Sequence, residues 1–149
     1  MAAVAPAWTF IALFLPFLAA FLAPVLTSRF GHRAAWLVAI APTLSFLHFC
    51  QFLGEISRGE VVTGGYAWAP SLNLSFSWFI DGLSLTFALL ITGIGTLIVI
   101  YSGGYMKGHP HLGRFLSFIL LFMGAMLGLV LSDSFLMLFV YWELTSIAS

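Results

Sequence analysis

Long apolar runs separated by short polar connections occupy most of the chain, and four of these runs contain no charged side chain. Each is close to the ~20 residues that a helix needs to cross the hydrocarbon of a bilayer. A fifth run begins at Phe135 and reaches Ser149. The pattern predicts an all-α polytopic membrane protein with about five transmembrane helices, at about 8–28, 34–53, 82–101, 114–131 and 134–149.

The fifth run is short for a membrane crossing. Its 15 residues would rise only ~22 Å as a helix, at ~1.5 Å per residue. The hydrocarbon core is about 30 Å thick. We therefore expect residues 1–149 to be the amino-terminal membrane segment of a larger subunit, whose remaining part is a partner of this segment.

The connection between the second and third runs has a different period. From Leu72 to Trp78 the chain alternates strictly between apolar and polar residues, which predicts a half-buried strand. Residues 61–68, followed by the turn formers Pro70 and Ser71, offer a partner strand. A short β-hairpin at about 60–78, between helices 2 and 3, is therefore expected, with an amphipathic loop against the lipid headgroups as the alternative.

Composition excludes several classes of protein. Hydrophobic residues make up 62% of the chain and charged residues 7%, whereas soluble domains carry about 25% charged residues. Five basic and five acidic side chains balance, so no strong field favours nucleic acid. The single cysteine, Cys50, permits neither an internal disulfide nor a thiolate metal site. The bilayer is the expected surrounding, and no cofactor or metal is expected.

Basic residues predict the orientation in the membrane. The first and third connections together hold four of them, Arg29, Arg33, Lys107 and Arg114. The second connection has Arg58 as its one basic residue, among Glu55, Glu60 and Asp81. By the positive-inside rule, the amino terminus and the hairpin are external, and the protein is a multi-pass protein of the plasma membrane.

Glu143 is the strongest candidate for chemistry. It lies eight residues into the fifth helix, roughly 12 Å down at ~1.5 Å per residue. A central acidic residue costs about 2.5–3.5 kcal/mol even on insertion-based scales. A buried proton-relay carboxylate explains such a cost, and a structural hydrogen-bonding glutamate is the alternative. Ser146 lies on the same face, and Thr145 lies nearby.

Two other polar residues are candidates with lesser roles. His48, near the outer end of the second helix, could relay protons, although a neutral, hydrogen-bonded histidine explains it as well. Asp81 stands where the third helix begins, which is the position of an N-cap. No nucleophile–base set and no metal-ligand set appears in the sequence, so an enzyme is not expected. Pro16 and Pro24 in the first helix and Pro42 in the second are candidates for helix kinks.

The stretches "SFSWFIDGLSLTFALLITGIGTLIVIYSGGYM" and "HLGRFLSFILLFMGAMLGLVLSDSFLMLFVYWELTSIAS" resemble the MrpA family, whose members are components of Mrp-type multisubunit sodium/proton antiporters. That family is related to the antiporter-like NuoL component of respiratory complex I and to components of membrane-bound hydrogenases. The resemblance is specific over roughly the second half of the chain. In the first half it extends only to the pattern of two spans and a hairpin.

The resemblance implies part of an ion-translocating subunit of a cation/proton antiporter, a secondary transporter that moves H⁺ and Na⁺ and assembles with other membrane subunits. It also implies that Glu143 pairs with a lysine outside this stretch. No Lys or Arg lies within the apolar runs, which agrees with a partner from elsewhere. The alternatives are a proton-pumping subunit of complex I or of a membrane-bound hydrogenase, and a purely structural membrane subunit.

Overall fold

A computed structural model describes residues 2–149 as seven α-helices and a small sheet. The helices are α1 (Thr9–Phe30), α2 (Ala34–Val38), α3 (Ile40–Cys50), α4 (Leu53–Ser57), α5 (Gly82–Tyr105), α6 (Leu112–Leu131) and α7 (Phe135–Ala148). The strands are β1 (Ala2–Val4), β2 (Val61–Ala69) and β3 (Leu74–Ile80), with short 3-10 turns at Gly31–Arg33 and Pro70–Leu72.

Three helical segments are long and apolar enough to cross a membrane: Thr9–Ser57, Gly82–Tyr105 and Leu112–Leu131. The first of these folds back on itself. The chain reverses at Gly31, which has a φ of 60°, and α3 then runs antiparallel to α1. The Thr9 hydroxyl lies 3.0 Å from Nε2 of His48, so the start of α1 meets the end of α3. The expected apolar, mostly helical architecture is confirmed.

The predicted helix at 34–53 is not continuous. It is divided between α2 and α3 at Ala39, and it gives way to a turn at Gln51 and Phe52 before the short α4. Pro42 explains the first division, because a proline has no N–H to donate to the carbonyl four residues earlier, that of Val38. The other predicted helices differ from the structure by at most four residues at an end.

Strands β2 and β3 form an antiparallel hairpin, with Val62 opposite Ile80 and Tyr66 opposite Phe76. The hairpin inferred from the alternating residues is confirmed, but its residues are 61–80 rather than 60–78. Leu72, expected in the strand, lies in the 3-10 turn instead and is 70% exposed.

The all-α expectation also omitted β1. This strand pairs in parallel with β2, from Ala2 opposite Val61 to Val4 opposite Thr63, and completes a three-stranded sheet. A strand of three residues is too short to display a period of two, and its partner is far away in the sequence, so no local pattern announces it.

Helix α6 packs against α1, α5 and α7. Glycines on α6 allow the close approach that the Gly124–Gly128 spacing suggests. A Cβ at Gly124 would lie 2.9 Å from Cε2 of Phe17 in α1, and one at Gly128 would lie 2.6 Å from Cζ of Tyr141 in α7. Both distances are well below ordinary van der Waals contact of about 3.5–4.0 Å. The two glycines therefore set how closely α1 and α7 approach α6.

Serines from neighbouring helices compensate for the two prolines of α1. Pro16 cannot donate to the carbonyl of Ala12, and the buried Ser45 hydroxyl of α3 donates to that oxygen at 2.6 Å. Pro24 likewise leaves the carbonyl of Ala20 without its N–H. This oxygen accepts a hydrogen bond from the Ser117 hydroxyl of α6, also at 2.6 Å.

Candidate functional site

Helix α7 carries Glu143, and its start is fixed by Ser134. The Ser134 hydroxyl accepts a hydrogen bond from the N–H of Met137 at 3.2 Å and caps the helix. The buried residues of α7 are Met137, Tyr141 and Ala148. Their spacings of four and seven residues place them on one helical face, and Tyr141 on that face occupies the space left by Gly128.

Glu143 lies on the opposite face of α7. It follows Tyr141 by two residues, which is roughly 200° around a helix of 3.6 residues per turn, and it is exposed in this chain. Trp142 and Ser146 are exposed beside it. Residues 2–149 do not bury Glu143, because α7 packs on α6 through its other face. Burial of this carboxylate requires neighbours that are not part of this chain.

The two hydroxyls predicted to support Glu143 contact the backbone of their own helix. Thr145 Oγ1 donates to the carbonyl of Trp142 at 2.6 Å, and Ser146 Oγ lies 3.5 Å from the same oxygen. Within residues 2–149, no hydrogen bond reaches the carboxylate of Glu143. Ser146 shares the exposed face with Glu143, whereas Thr145 is half-buried.

No cation of the described chain stands beside Glu143. Because Gly128 meets Tyr141 and the two helices are antiparallel, Glu143 is level with about Met126 on α6. Arg114, in the first turn of α6, is 12 residues from that level, or ~18 Å at ~1.5 Å per residue. The one ion pair among residues 2–149 joins Arg58 to Glu60 at 3.8 Å, outside the long helices.

His48 is half-buried and is held at both ring nitrogens. Its Nε2 lies 3.0 Å from the Thr9 hydroxyl, and its Nδ1 lies 2.8 Å from the amide nitrogen of Gln51. An amide nitrogen can only donate, so Nδ1 accepts, and the neutral ring carries its proton on Nε2 and donates it to Thr9. None of the hydrogen bonds described for residues 2–149 links His48 to α7.

Asp81 is the N-cap of α5. Its Oδ1 accepts a hydrogen bond from the Ser84 N–H at 2.8 Å, and the Ser84 hydroxyl accepts one from the Asp81 N–H at 2.8 Å. This reciprocal pair is a capping box. The Ser84 N–H holds the pKa of the Asp81 carboxyl below its usual value of 3.8.

A metal site does not emerge from the described residues: between residues 2 and 149, no three His, Cys, Asp or Glu side chains come together in a way that could hold an ion. The candidate site is acidic. It consists of a single carboxylate, near the middle of an apolar helix, on the face that α6 leaves uncovered.

Comparison with known proteins gives this arrangement a context. Residues 68–116 match a family described as "NADH-Ubiquinone oxidoreductase (complex I), chain 5 N-terminus". The chain is 50% identical over 137 residues to the MrpA-type Na⁺/H⁺ antiporter protein of Alkalihalophilus pseudofirmus, and the match covers 90% of this chain and 17% of the relative. It is 42% identical over 140 residues to the corresponding Na⁺/H⁺ antiporter protein of Staphylococcus haemolyticus, covering 93% of this chain and 17% of that relative.

Two solved structures resemble the fold. The Mrp complex from Dietzia sp. includes a chain that superposes with a TM-score of 0.81 at 29% identity, over 94% of this chain and 15% of that one. A chain of the membrane-bound sulfane sulfur reductase, an archaeal respiratory membrane complex, superposes with a TM-score of 0.70 at 18% identity, over 93% of this chain and 21% of that one. The second likeness concerns the fold alone.

The resemblance to the MrpA family of sodium/proton antiporter proteins is therefore confirmed. It covers nine tenths of the chain and not only the second half, so the sequence pattern underestimated its extent. The chain spans about one sixth of the length of these relatives.

Proposed function

We propose that this chain is part of an ion-translocating subunit of a multisubunit Na⁺/H⁺ antiporter, a secondary transporter rather than an enzyme. The 50% identity to an MrpA-type Na⁺/H⁺ antiporter protein supports this assignment. In the same proposal, residues 1–149 cross the plasma membrane about five times with the amino terminus and the hairpin outside. Further helices of the same subunit, together with other membrane subunits, cover part of the exposed apolar surface, including the Glu143 face of α7.

Glu143 is the proton-relay residue in this proposal. The observation that carries it is the position of Glu143, which lies about halfway along α7 on the face turned away from α6, with no hydrogen bond from residues 2–149. Packing alone would favour an apolar side chain at such a position. An ionisable group in a transmembrane segment is usually functional and faces a partner or a water-filled path.

The relay requires a cationic partner from outside residues 1–149, and the resemblance implies a lysine. Lys107 is the one lysine of this chain, and it follows the end of α5 rather than lying within a span. An opposite charge within about 4–6 Å lowers a carboxylate pKa by about 1–3 units. Separation of the pair would then promote proton uptake, and its return would promote release. Ser146, on the same face, leaves room for water, while Thr145 and His48 are secondary members of the proposed polar surroundings.

Substitution of Glu143 tests the proposal. Glu143→Gln keeps the size and the hydrogen-bonding ability of the side chain but cannot exchange a proton, so antiport in everted membrane vesicles should be abolished or strongly reduced. Glu143→Asp should retain part of the activity. Glu55→Gln, which neutralises a carboxylate in the short α4, is the matched control and should transport normally. Normal antiport by Glu143→Gln, at equal protein level, would mean that the residue is structural.

A proton-pumping subunit of respiratory complex I or of a membrane-bound hydrogenase is the second candidate. The match of residues 68–116 to complex I chain 5 favours it. Sodium dependence separates the two functions. An antiporter supports exchange of Na⁺ for H⁺ in vesicles without an added electron donor, whereas a respiratory complex supports proton movement only during electron transfer.

A further inference from the structure

An apolar groove runs between α5 and α6 and ends beside a basic residue. Its volume is about 1050 Å³, and the last residues of α7 close one side of it. The lining residues on the two long helices are Leu90, Ile94, Ile98, Phe115, Phe118 and Phe122. Each of these side chains is between 39% and 51% exposed, so the groove is open along its length to whatever surrounds the protein.

Arg114 and His111 lie at one end of this groove. The guanidinium carbon of Arg114 is 5.8 Å from the centre of the Phe118 ring, a cation–π contact that orients the charge along the groove wall. Within residues 2–149, no carboxylate pairs with Arg114. The groove therefore has an apolar body and a positively charged mouth.

The surrounding charge has the same sign. Arg29, Arg33 and Lys107 lie at the same end of the helices as Arg114, and the connections 27–33 and 102–114 contain no acidic residue. Basic pockets between transmembrane helices bind the headgroups of anionic lipids. From Arg114 to Met126, another lining residue, α6 rises ~18 Å at ~1.5 Å per residue, comparable with the ~15 Å depth of one leaflet.

We propose that the α5–α6 groove binds one anionic phospholipid, with the phosphate at Arg114 and His111 and an acyl chain along Ile94, Phe118 and Phe122. Charge complementarity selects this occupant, because a purely apolar helix would leave Arg114 without a counter-charge. The proposal does not depend on the antiporter function or on the direction in which the chain is inserted.

Photocrosslinking in native membranes tests this site on the full chain in its assembled complex. The probes are phosphatidylglycerol and phosphatidylcholine, each with a photoreactive group on one acyl chain, and the crosslinked peptides are mapped by mass spectrometry. We expect phosphatidylglycerol to label the Phe115–Met126 segment about fivefold more than phosphatidylcholine, as one basic residue near a charged headgroup predicts. Ile94→Trp, which fills the groove, should reduce labelling by both lipids.

Charge variants identify the headgroup contact. Arg114→Gln should lower phosphatidylglycerol labelling to the phosphatidylcholine level, and Arg114→Lys should retain most of it. Arg29→Gln, the matched control, removes one charge at the same end of the molecule but away from the groove, and should change labelling little.

Three results would overturn the proposal. Equal labelling by the two lipids would mean that the groove does not select between anionic and zwitterionic headgroups. Labelling elsewhere but not in residues 115–126 would indicate that another transmembrane helix fills the groove. Loss of the phosphatidylglycerol preference in excess inorganic phosphate, with phosphatidylcholine labelling unchanged, would assign Arg114 to free phosphate. Each result is obtained with the unmodified chain, so poor folding of a variant cannot hide it.

Discussion

The serine that compensates for Pro16 leads to a prediction about stability. Ser45→Ala removes the hydroxyl that donates to the Ala12 carbonyl at 2.6 Å, at a position with 0% exposure. Hydrogen bonds between membrane helices contribute about 0.6 kcal/mol on average and at most about 1.7 kcal/mol. We expect a loss of about 1–1.7 kcal/mol in the free energy of unfolding, in the upper part of that range, because Pro16 cannot replace the lost donor.

A double-mutant cycle isolates this effect. In a Pro16→Ala background, the N–H of residue 16 can donate to Ala12, so Ser45→Ala should cost at least about 1 kcal/mol less than in the original chain. Thr43→Val is the control, because the Thr43 hydroxyl donates to the Ala39 carbonyl, which already accepts the Thr43 N–H. That substitution should cost little.

Unfolding in mixed detergent micelles, followed by circular dichroism, provides the free energies. The reasoning fails if Ser45→Ala costs the same with and without Pro16, since the hydroxyl would then not be substituting for the missing N–H. It also fails if Thr43→Val is as destabilising as Ser45→Ala, since any lost hydroxyl would then have the same effect.

Two further predictions concern the ends and the packing of the helices. Gly128→Ala should be less stable than the control Gly104→Ala by about 1–3 kcal/mol in free energy of unfolding. The reason is that a Cβ at Gly128 meets the Tyr141 ring, whereas Gly104 has open space around it. Equal stabilities of the two variants would refute the close α6–α7 contact. Asp81→Ala should cost ~1 kcal/mol near neutral pH. Because folding lowers the pKa of Asp81, its stabilising effect is complete above the usual value of 3.8 and disappears as the pH falls through the lowered pKa. The loss in free energy of unfolding caused by Asp81→Ala should therefore shrink in acid. The loss caused by Ser134→Ala should stay constant, because a serine cap does not titrate in this pH range.

Local patterns predicted much of this fold. Apolar runs indicated the long helices, because each helix satisfies its own backbone and needs only apolar side chains around it. Alternation indicated β3, because successive residues of a strand point to opposite sides. Glu143 could also be proposed as a candidate site residue from the sequence, because a carboxylate in such surroundings is costly.

Features that depend on distant partners could not be predicted in the same way. The prolines were visible, but Ser45 and Ser117 lie 33 and 97 residues from the carbonyls they serve. The direction of Glu143 depends on which face of α7 packs on α6. The packing of the Tyr141 ring against Gly128 determines that face. The Gly124–Gly128 spacing was the one available signal, and it does not identify the partner.

The parallel pairing of β1 with β2 has a consequence for biosynthesis. Residues 2–4 are made before their partners, residues 61–63, which emerge only after α1 to α4 have been synthesised. Strand β1 therefore has no sheet partner until the four intervening helices have been made. Closure of the sheet then ties the start of the chain to the hairpin and traps the α1–α3 pair in a closed loop. Sheet closure is therefore possible only when α1 and α3 run antiparallel, so that residues 2–4 and residues 61–63 reach the same end of the helical pair.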